Sequence, residues 1–221
     1  MGWPNNFVQG IYNALGSLIG VSDGAGGQIG LTPTYTWATK PLASAYTGRA
    51  FISDIGGGSI WYSNGTYWKP INGFVTLAYQ NSGFSLVTNT GADTTVFTFN
   101  APAGLLGLNG TYQISGRFTA IDAGANAKYF NFLLGASVLC SAPMSATGTN
   151  AIHAVQKIQN RNSESVQIGD NAVLNYTTTT GGFSVGAVNT SAAHTLTYNV
   201  HCPVGATSIQ PETIRLDLYI P

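Results

Sequence analysis

Eight carboxylates, three histidines and two cysteines are all that the chain offers for acid–base, nucleophilic or metal chemistry. Glycoside hydrolysis needs two carboxylates facing each other across a groove. Asp23, Asp54, Asp93, Asp122, Glu164 and Asp170 instead lie beside Gly, Ser, Asn or Ala in turn-like sequence. A carboxylate there usually bonds nearby backbone. Glu212 follows Pro211, and Asp217 alone lies inside a clearly alternating strand, with Arg215 as its same-face neighbour. That pair reads as a surface ion pair. His153, His194 and His201 each fall in a predicted strand, with no second ligand at metal spacing and no His-Glu-x-x-His. His201-Cys202 sets a base beside a nucleophile, but successive strand residues point to opposite faces. No helix follows Gly56-Gly57-Gly58 to receive a phosphate. Cys140 and Cys202 make one possible disulfide, but both are flanked by small or apolar residues and a fold of this length needs no staple, so two buried free thiols are the favoured expectation; no Cys-x-x-Cys spacing suggests zinc. These residues predict no catalytic centre, no metal and no cofactor. They point to a binding or assembly protein.

The elements around them are those of a β-protein. The 221 residues are 44% hydrophobic, enough for a sizeable core. Only 7% are charged, against about 25% in an ordinary soluble domain. Aromatic and β-branched residues run through the whole chain, which excludes disorder. Net charge is zero and the eight basic residues form no stripe. That argues against nucleic-acid binding and against a polybasic membrane anchor. No apolar run reaches the roughly 20 residues of a spanning helix, so no membrane insertion is expected. The N-terminus lacks a basic region followed by a long apolar one, so no signal peptide is expected. Asn6 stands where myristoylation wants Ser or Thr. A neutral Thr/Asn/Gly surface fits either a component of an assembly or a secreted protein of low charge.

Three segments follow. In residues 1–40, Phe7, Ile11, Leu15, Leu18 and Ile19 recur at helical spacing, predicting one short amphipathic helix. Alone it is marginal, so its apolar face docks on a partner or packs on its own domain. Gly24 to Gly30 reads as a flexible connector. In residues 41–73, Arg49 to Ile55 is a predicted strand, and Asn64-Gly65 joins two more as a two-residue hairpin turn. Counting outward pairs Ser63 with Thr66, Tyr62 with Tyr67 and Trp61 with Trp68. The aromatic cluster reads as a self-stabilising hairpin or subunit contact; a sugar-stacking platform is the alternative. Residues 74–221 carry predicted strands over 74–79, 84–88, 94–99, 111–119, 128–134, 153–159, 165–168, 172–174, 183–188, 194–200 and 213–220. Alternation is clean in Tyr112–Phe118 and in Thr213–Ile220. The expected fold is all-β, a jelly-roll-like β-sandwich, preceded by a small hairpin module and an N-terminal arm with one short helix.

The stretch Tyr46-Thr-Gly-Arg-Ala-Phe-Ile-Ser-Asp, the Gly triplet and Ile60-Trp-Tyr-Ser-Asn-Gly-Thr-Tyr-Trp-Lys-Pro-Ile-Asn-Gly73 resemble a module of tailed-bacteriophage structural proteins. Gly104–Gly110, Ile158–Ser163 and Gln167-Ile-Gly169 are similar to jelly-roll appendage domains of such phages. The resemblance covers residues 46–221. It implies a virion-exterior protein, a short fibre, head decoration or tail appendage, assembled as a homotrimer. It implies docking through residues 1–40 to a capsid, portal-vertex or tail protein, with residues 74–221 as a distal knob. Such a knob can also bind a host surface glycan or protein, and Tyr129, Tyr176 and Phe183 are the candidate contacts, with ordinary core as their other reading.

Overall fold

The computed structural model describes residues 21–22, 28–29, 33–88, 91–124, 126–145, 147–170, 183–205 and 207–221. The helix expected through Phe7, Ile11, Leu15, Leu18 and Ile19 lies outside the described residues, as do Tyr176 and the strand expected over 172–174. The chain divides into two compact units, Met1–Ile71 and Asn72–Pro221.

In the first unit, β1 (Val21–Ser22) pairs antiparallel with β2 (Gln28–Ile29), so the segment read as a connector is paired at its end. A four-stranded sheet follows, in the order β3 (Thr34–Tyr35), β4 (Ala50–Ser53), β5 (Ile60–Ser63), β6 (Trp68–Pro70). The first pair is parallel and the others antiparallel. Alternation turns Phe51, Trp61 and Trp68 to one face, where Trp37 joins them, and all four are buried. Trp37 meets Trp61 edge-on at 4.7 Å, and Phe51 meets Trp68 at 4.6 Å. Such pairs add about 0.5–1.5 kcal/mol each beyond their burial, which matters in a unit too small for a broad aliphatic core. Both strand indole N–H groups are satisfied: Trp61 donates to Ser59 Oγ and Trp68 to the Pro41 carbonyl.

The hairpin register differs from the expected one. Ser63 pairs with Trp68, Tyr62 with Lys69 and Trp61 with Pro70. The loop is therefore four residues, 64–67. A two-residue type I′ turn needs positive φ at both central positions, and Gly65 has it (φ 91°) while Asn64 does not. Asn64 instead folds its side chain over the loop, and its Oδ1 accepts from the amides of Thr66 and Tyr67 at 2.9 Å each. The expected Tyr62–Tyr67 pair does not form. Pro70 sits on the edge strand, where its missing donor costs least.

The second unit contains two antiparallel sheets. The larger contains β7 (Phe74–Gln80), β8 (Val87–Thr88), β10 (Thr111–Asp122), β13 (Gly148–Asn160), β14 (Gln167–Asp170), β15 (Phe183–Gly186) and β17 (Thr207–Tyr219). The smaller contains β9 (Asp93–Ala101), β11 (Lys128–Leu134), β12 (Ser137–Met144) and β16 (His194–His201). Their orders are β15-β14-β13-β10-β17-β7, with β8 also on β17, and β12-β11-β16-β9. With β7 and β8 taken as one broken strand and the β14–β15 hairpin set aside, this is the two-sheet, four-plus-four order of a jelly roll. Between the sheets lie Phe118, Phe130, Phe132, Tyr198, Ile114 and Leu216, each at most 2% exposed.

Three differences from the expected strands have physical causes. Ser137–Met144 is a strand the sequence did not suggest; it is an edge strand, so Pro143 is tolerated. Strand β17 starts at Thr207 rather than at 213, running through Pro211. A bulge permits this: Phe118 pairs with Pro211 and Arg117 with Thr213, leaving Glu212 as the extra residue. Strand β13 extends to Gly148 because its expected start was only the well-patterned half of a longer pairing with β10.

Candidate functional site

The outer face of the larger sheet is built from alternate residues of five strands. On β10, Gln113, Ser115 and Arg117 point outward while Tyr112, Ile114, Gly116 and Phe118 are buried. Register then sets their neighbours. Gln113 lies opposite Lys157 and Asp217, Ser115 opposite Val155 and Arg215, and Arg117 opposite His153 and Thr213. Strand β7 adds Thr76 opposite Asp217, Tyr79 opposite Arg215 and Phe74 opposite Tyr219. Strand β14 adds Asp170 opposite Lys157. The face encloses a groove of about 400 Å³, bordered by Tyr79 and Tyr219 and lined by Gln113, Arg117, Arg215 and Asp217. A smaller depression of about 290 Å³ shares Gln113 and Tyr219 with it and continues toward Lys157 and Asp170.

One corner of the groove is fixed by an ionic triangle. Arg215 Nε donates to Asp217 Oδ1 at 2.8 Å, Thr76 Oγ1 donates to the same oxygen at 2.7 Å, and Arg215 Nη2 donates to Thr76 Oγ1 at 3.0 Å. The sequence suggested a surface pair. The arginine side chain is indeed 46% exposed, but the carboxylate is only 4% exposed. A buried acceptor held by two donors is rigid before any ligand arrives. Tyr79 is 60% exposed, and Tyr219 stacks on Phe74 with ring centres 6.0 Å apart.

The residues expected to act are elsewhere. Trp61 and Trp68 are core, so they offer no platform to a sugar, while Tyr62 is exposed and Tyr67 half-buried beside the Asn64-Gly65 loop. Tyr129 lies on the smaller sheet, edge-on to His201 at 5.6 Å. Phe183 is in edge strand β15, paired with Asp170. The fold does not bring these two together. The groove residues were individually visible as polar faces of alternating strands. Their convergence was not, because it depends on strand order.

The remaining titratable groups hold structure together. Asp122 closes the corner where β10 ends: it accepts from Gly124 N, Asn126 N, Thr207 Oγ1 and the buried Lys128 ammonium. The Lys128 contact chiefly holds its carboxyl well below the usual range, against the opposing effect of burial. His194 donates from Nδ1 to the Ala192 carbonyl and so presents Nε2 as acceptor to the Tyr112 hydroxyl at 3.0 Å. Burial lowers its pKa and raises that of Tyr112. His201 pairs with Asp93, which also accepts from Asn131. Cys202 is buried and donates to the Thr207 carbonyl, so His201 and Cys202 do not form a couple. Neither Cys140 nor Cys202 is in a disulfide, and burial pushes the Cys140 thiol up to about 12. Among the described residues, no group of three or more His, Cys, Asp or Glu side chains is placed to hold a metal. The sequence matches no protein-family model and no curated protein.

Proposed function

We propose that this protein is an external structural component of a tailed-bacteriophage virion: a short fibre, head decoration or tail appendage. In this reading it is a homotrimer that docks through residues 1–40 on a capsid, portal-vertex or tail protein and displays its jelly roll outward. It acts by assembly and not by catalysis. The observation that supports this best is modular. The segment carrying the phage-like Trp61–Trp68 motif closes an aromatic core within one compact unit, and the following residues form a separate jelly roll. A neutral surface poor in charge suits a chain whose neighbours are fixed by assembly.

Two measurements test it. The purified chain should sediment as a trimer at micromolar concentration, and a monomer throughout that range refutes the assembly. Deleting residues 1–30 should abolish incorporation into virions, and normal incorporation refutes docking through the arm. A recognition role alongside assembly, the knob binding a host surface glycan, is favoured by the polar groove between Tyr79 and Tyr219.

A further inference from the structure

Several side chains in the groove are not used by the fold. Among the described residues, Gln113, Ser115, Arg117 and His153 make no side-chain hydrogen bond, ion pair or ring contact. The groove offers donors, acceptors and aromatic surface together. The Asp217 charge is matched by Arg215, which leaves Arg117 as its one uncompensated formal charge. Arg117 lies directly across from His153, so two ring or guanidinium donors can converge on one anion. Along the strands, the row of Arg117 is six residues from the row of Tyr219, since Thr111 pairs with Tyr219. At about 3.3 Å per residue that is roughly 20 Å, the reach of about three to four sugar rings.

A glycan fits this chemistry better than a second copy of the chain. Cores of protein interfaces are depleted in charge, and burying Arg117 against a copy without a partner is costly. Sugars present the opposite demand: many hydroxyls for planar amide, guanidinium and carboxylate groups, and apolar C–H faces for tyrosine rings. We propose that the groove on the outer face of the larger sheet binds an acidic oligosaccharide. A sugar carboxylate sits between Arg117 and His153. Neighbouring hydroxyls bond Gln113, Ser115 and the Arg215–Asp217 pair, and ring faces lie against Tyr79 and Tyr219. This rests on the recognition half of the proposed function and is independent of trimer formation and virion docking.

The test is an NMR titration of the full chain with three probes: 3′-sialyllactose, trigalacturonate and the neutral sugar lactose. At least one acidic probe should shift amides in residues 111–119 and 213–219, binding at least about tenfold tighter than lactose, a difference of about 1.4 kcal/mol. Arg117→Gln should remove the preference for acidic sugar, and Tyr79→Ala should weaken every probe. Both positions are exposed, and unchanged far-UV circular dichroism confirms that the variants fold. Arg161→Gln, which lines neither the groove nor the adjoining depression, should change nothing. The proposal is overturned if no probe shifts these amides at roughly 10 mM, or if lactose binds as well as both acidic sugars. It is equally overturned if these amides respond to protein dilution and not to sugar, which would make the face a subunit contact. Failure here leaves the sedimentation and incorporation results untouched, so the two readings fail separately.

Discussion

Replacing Gln167 with leucine should destabilise the jelly roll by about 3 kcal/mol. Gln167 is fully buried. Its Nε2 donates to Asn160 Oδ1 and to the Val188 carbonyl, each at 2.9 Å, and its Oε1 accepts from the Val188 amide at 2.8 Å. Asn160, also fully buried, donates in turn to Thr190 Oγ1 at 2.8 Å, and Thr190 donates to the Glu164 carbonyl. This chain of amides pins the segment before β16 to the ends of β13 and β14. Leucine keeps the volume and deletes the polar ends. Asn160 Oδ1 is then sealed without a donor, at about 1–3 kcal/mol, while the half-buried Val188 groups recover water and lose about 1 kcal/mol together. The sum is a large share of the roughly 5–15 kcal/mol that holds a domain folded. With a urea slope of about 2 kcal/mol/M, the unfolding midpoint should fall by about 1.5 M. Far-UV circular dichroism is the signal to follow, because Trp3, Trp37, Trp61 and Trp68 all lie in residues 1–71 and their fluorescence reports on the other unit. Gln113→Leu is the control: an outward amide without partners among the described residues, expected to shift stability by less than about 0.5 kcal/mol. A Gln167→Leu midpoint indistinguishable from that of the control would show that the amide chain contributes nothing net.

Other perturbations have equally definite outcomes. The Tyr198 hydroxyl is sealed in the core without a hydrogen-bond partner among the described residues, so Tyr198→Phe should leave stability unchanged or raised. Tyr112→Phe strips the donor from His194 and should cost about 1–2 kcal/mol; equal urea midpoints for the two variants would contradict the assignment. His194 and Asp122 both have lowered folded-state pKa values, so the unfolded chain binds the extra protons as pH falls. Stability should therefore be full at neutral pH, decline below about pH 6.5 through His194 and again below the ordinary carboxylate range near pH 4 through Asp122. A flat profile between pH 7 and pH 3 would be inconsistent with both. A Cβ at Gly169 would stand 1.8 Å from the Leu139 carbonyl oxygen, whereas at Gly186 it would press on the movable end of the Leu139 side chain, with Gln167 Oε1 in ordinary contact at 3.4 Å. Gly169→Ala should thus cost more than about 3 kcal/mol and Gly186→Ala clearly less, read by the same urea titration; the reverse order would show that β12 gives way. Neither thiol should react with Ellman's reagent in the native protein, and both should react in denaturant; rapid native labelling would place a cysteine at the surface.

The strands that were legible are those with one face in the core and the other in water. In β10 and β17 apolar residues fall on every second position over long stretches, and that period has one simple reading. Strand β12 hides for a specific reason. Leu139 and Cys140 are both buried although adjacent, because the register with β11 slips between Phe132 and Leu133. A bulge breaks the period of two on which the sequence signal depends. Of its other residues, Ser137, Ser141, Ala142 and Pro143 carry little strand propensity of their own, which leaves Val138 as the one strong β-former beside them. Pro211 conceals the start of β17 in the same way. The Asn64-Gly65 turn shows the converse. The register is off by two residues, yet Trp61 and Trp68 remain on one buried face. A shift by an even number preserves which side each residue takes, so the aromatic core was readable although the pairing was not.

The groove was illegible because it is made by strand order. Thr76 and Asp217 share a hydrogen bond across 141 positions of sequence, since the jelly roll returns its last strand to lie beside its first. No single strand shows that neighbour. The same order aligns two carboxylates that the sequence kept apart: Asp170, Lys157, Gln113 and Asp217 form one row across β14, β13, β10 and β17. That row decides whether the groove invites hydrolysis. Three inter-strand spacings of about 4.8 Å put Asp170 and Asp217 roughly 14 Å apart. Retaining and inverting glycosidases work with carboxyl groups at about 5–5.5 Å and about 6.5–9.5 Å. Lys157 and Gln113 also stand between them, and Asp217 is committed to Arg215 and Thr76. A sugar chain bound along the sheet, as proposed, would meet this pair too widely spaced to cut it.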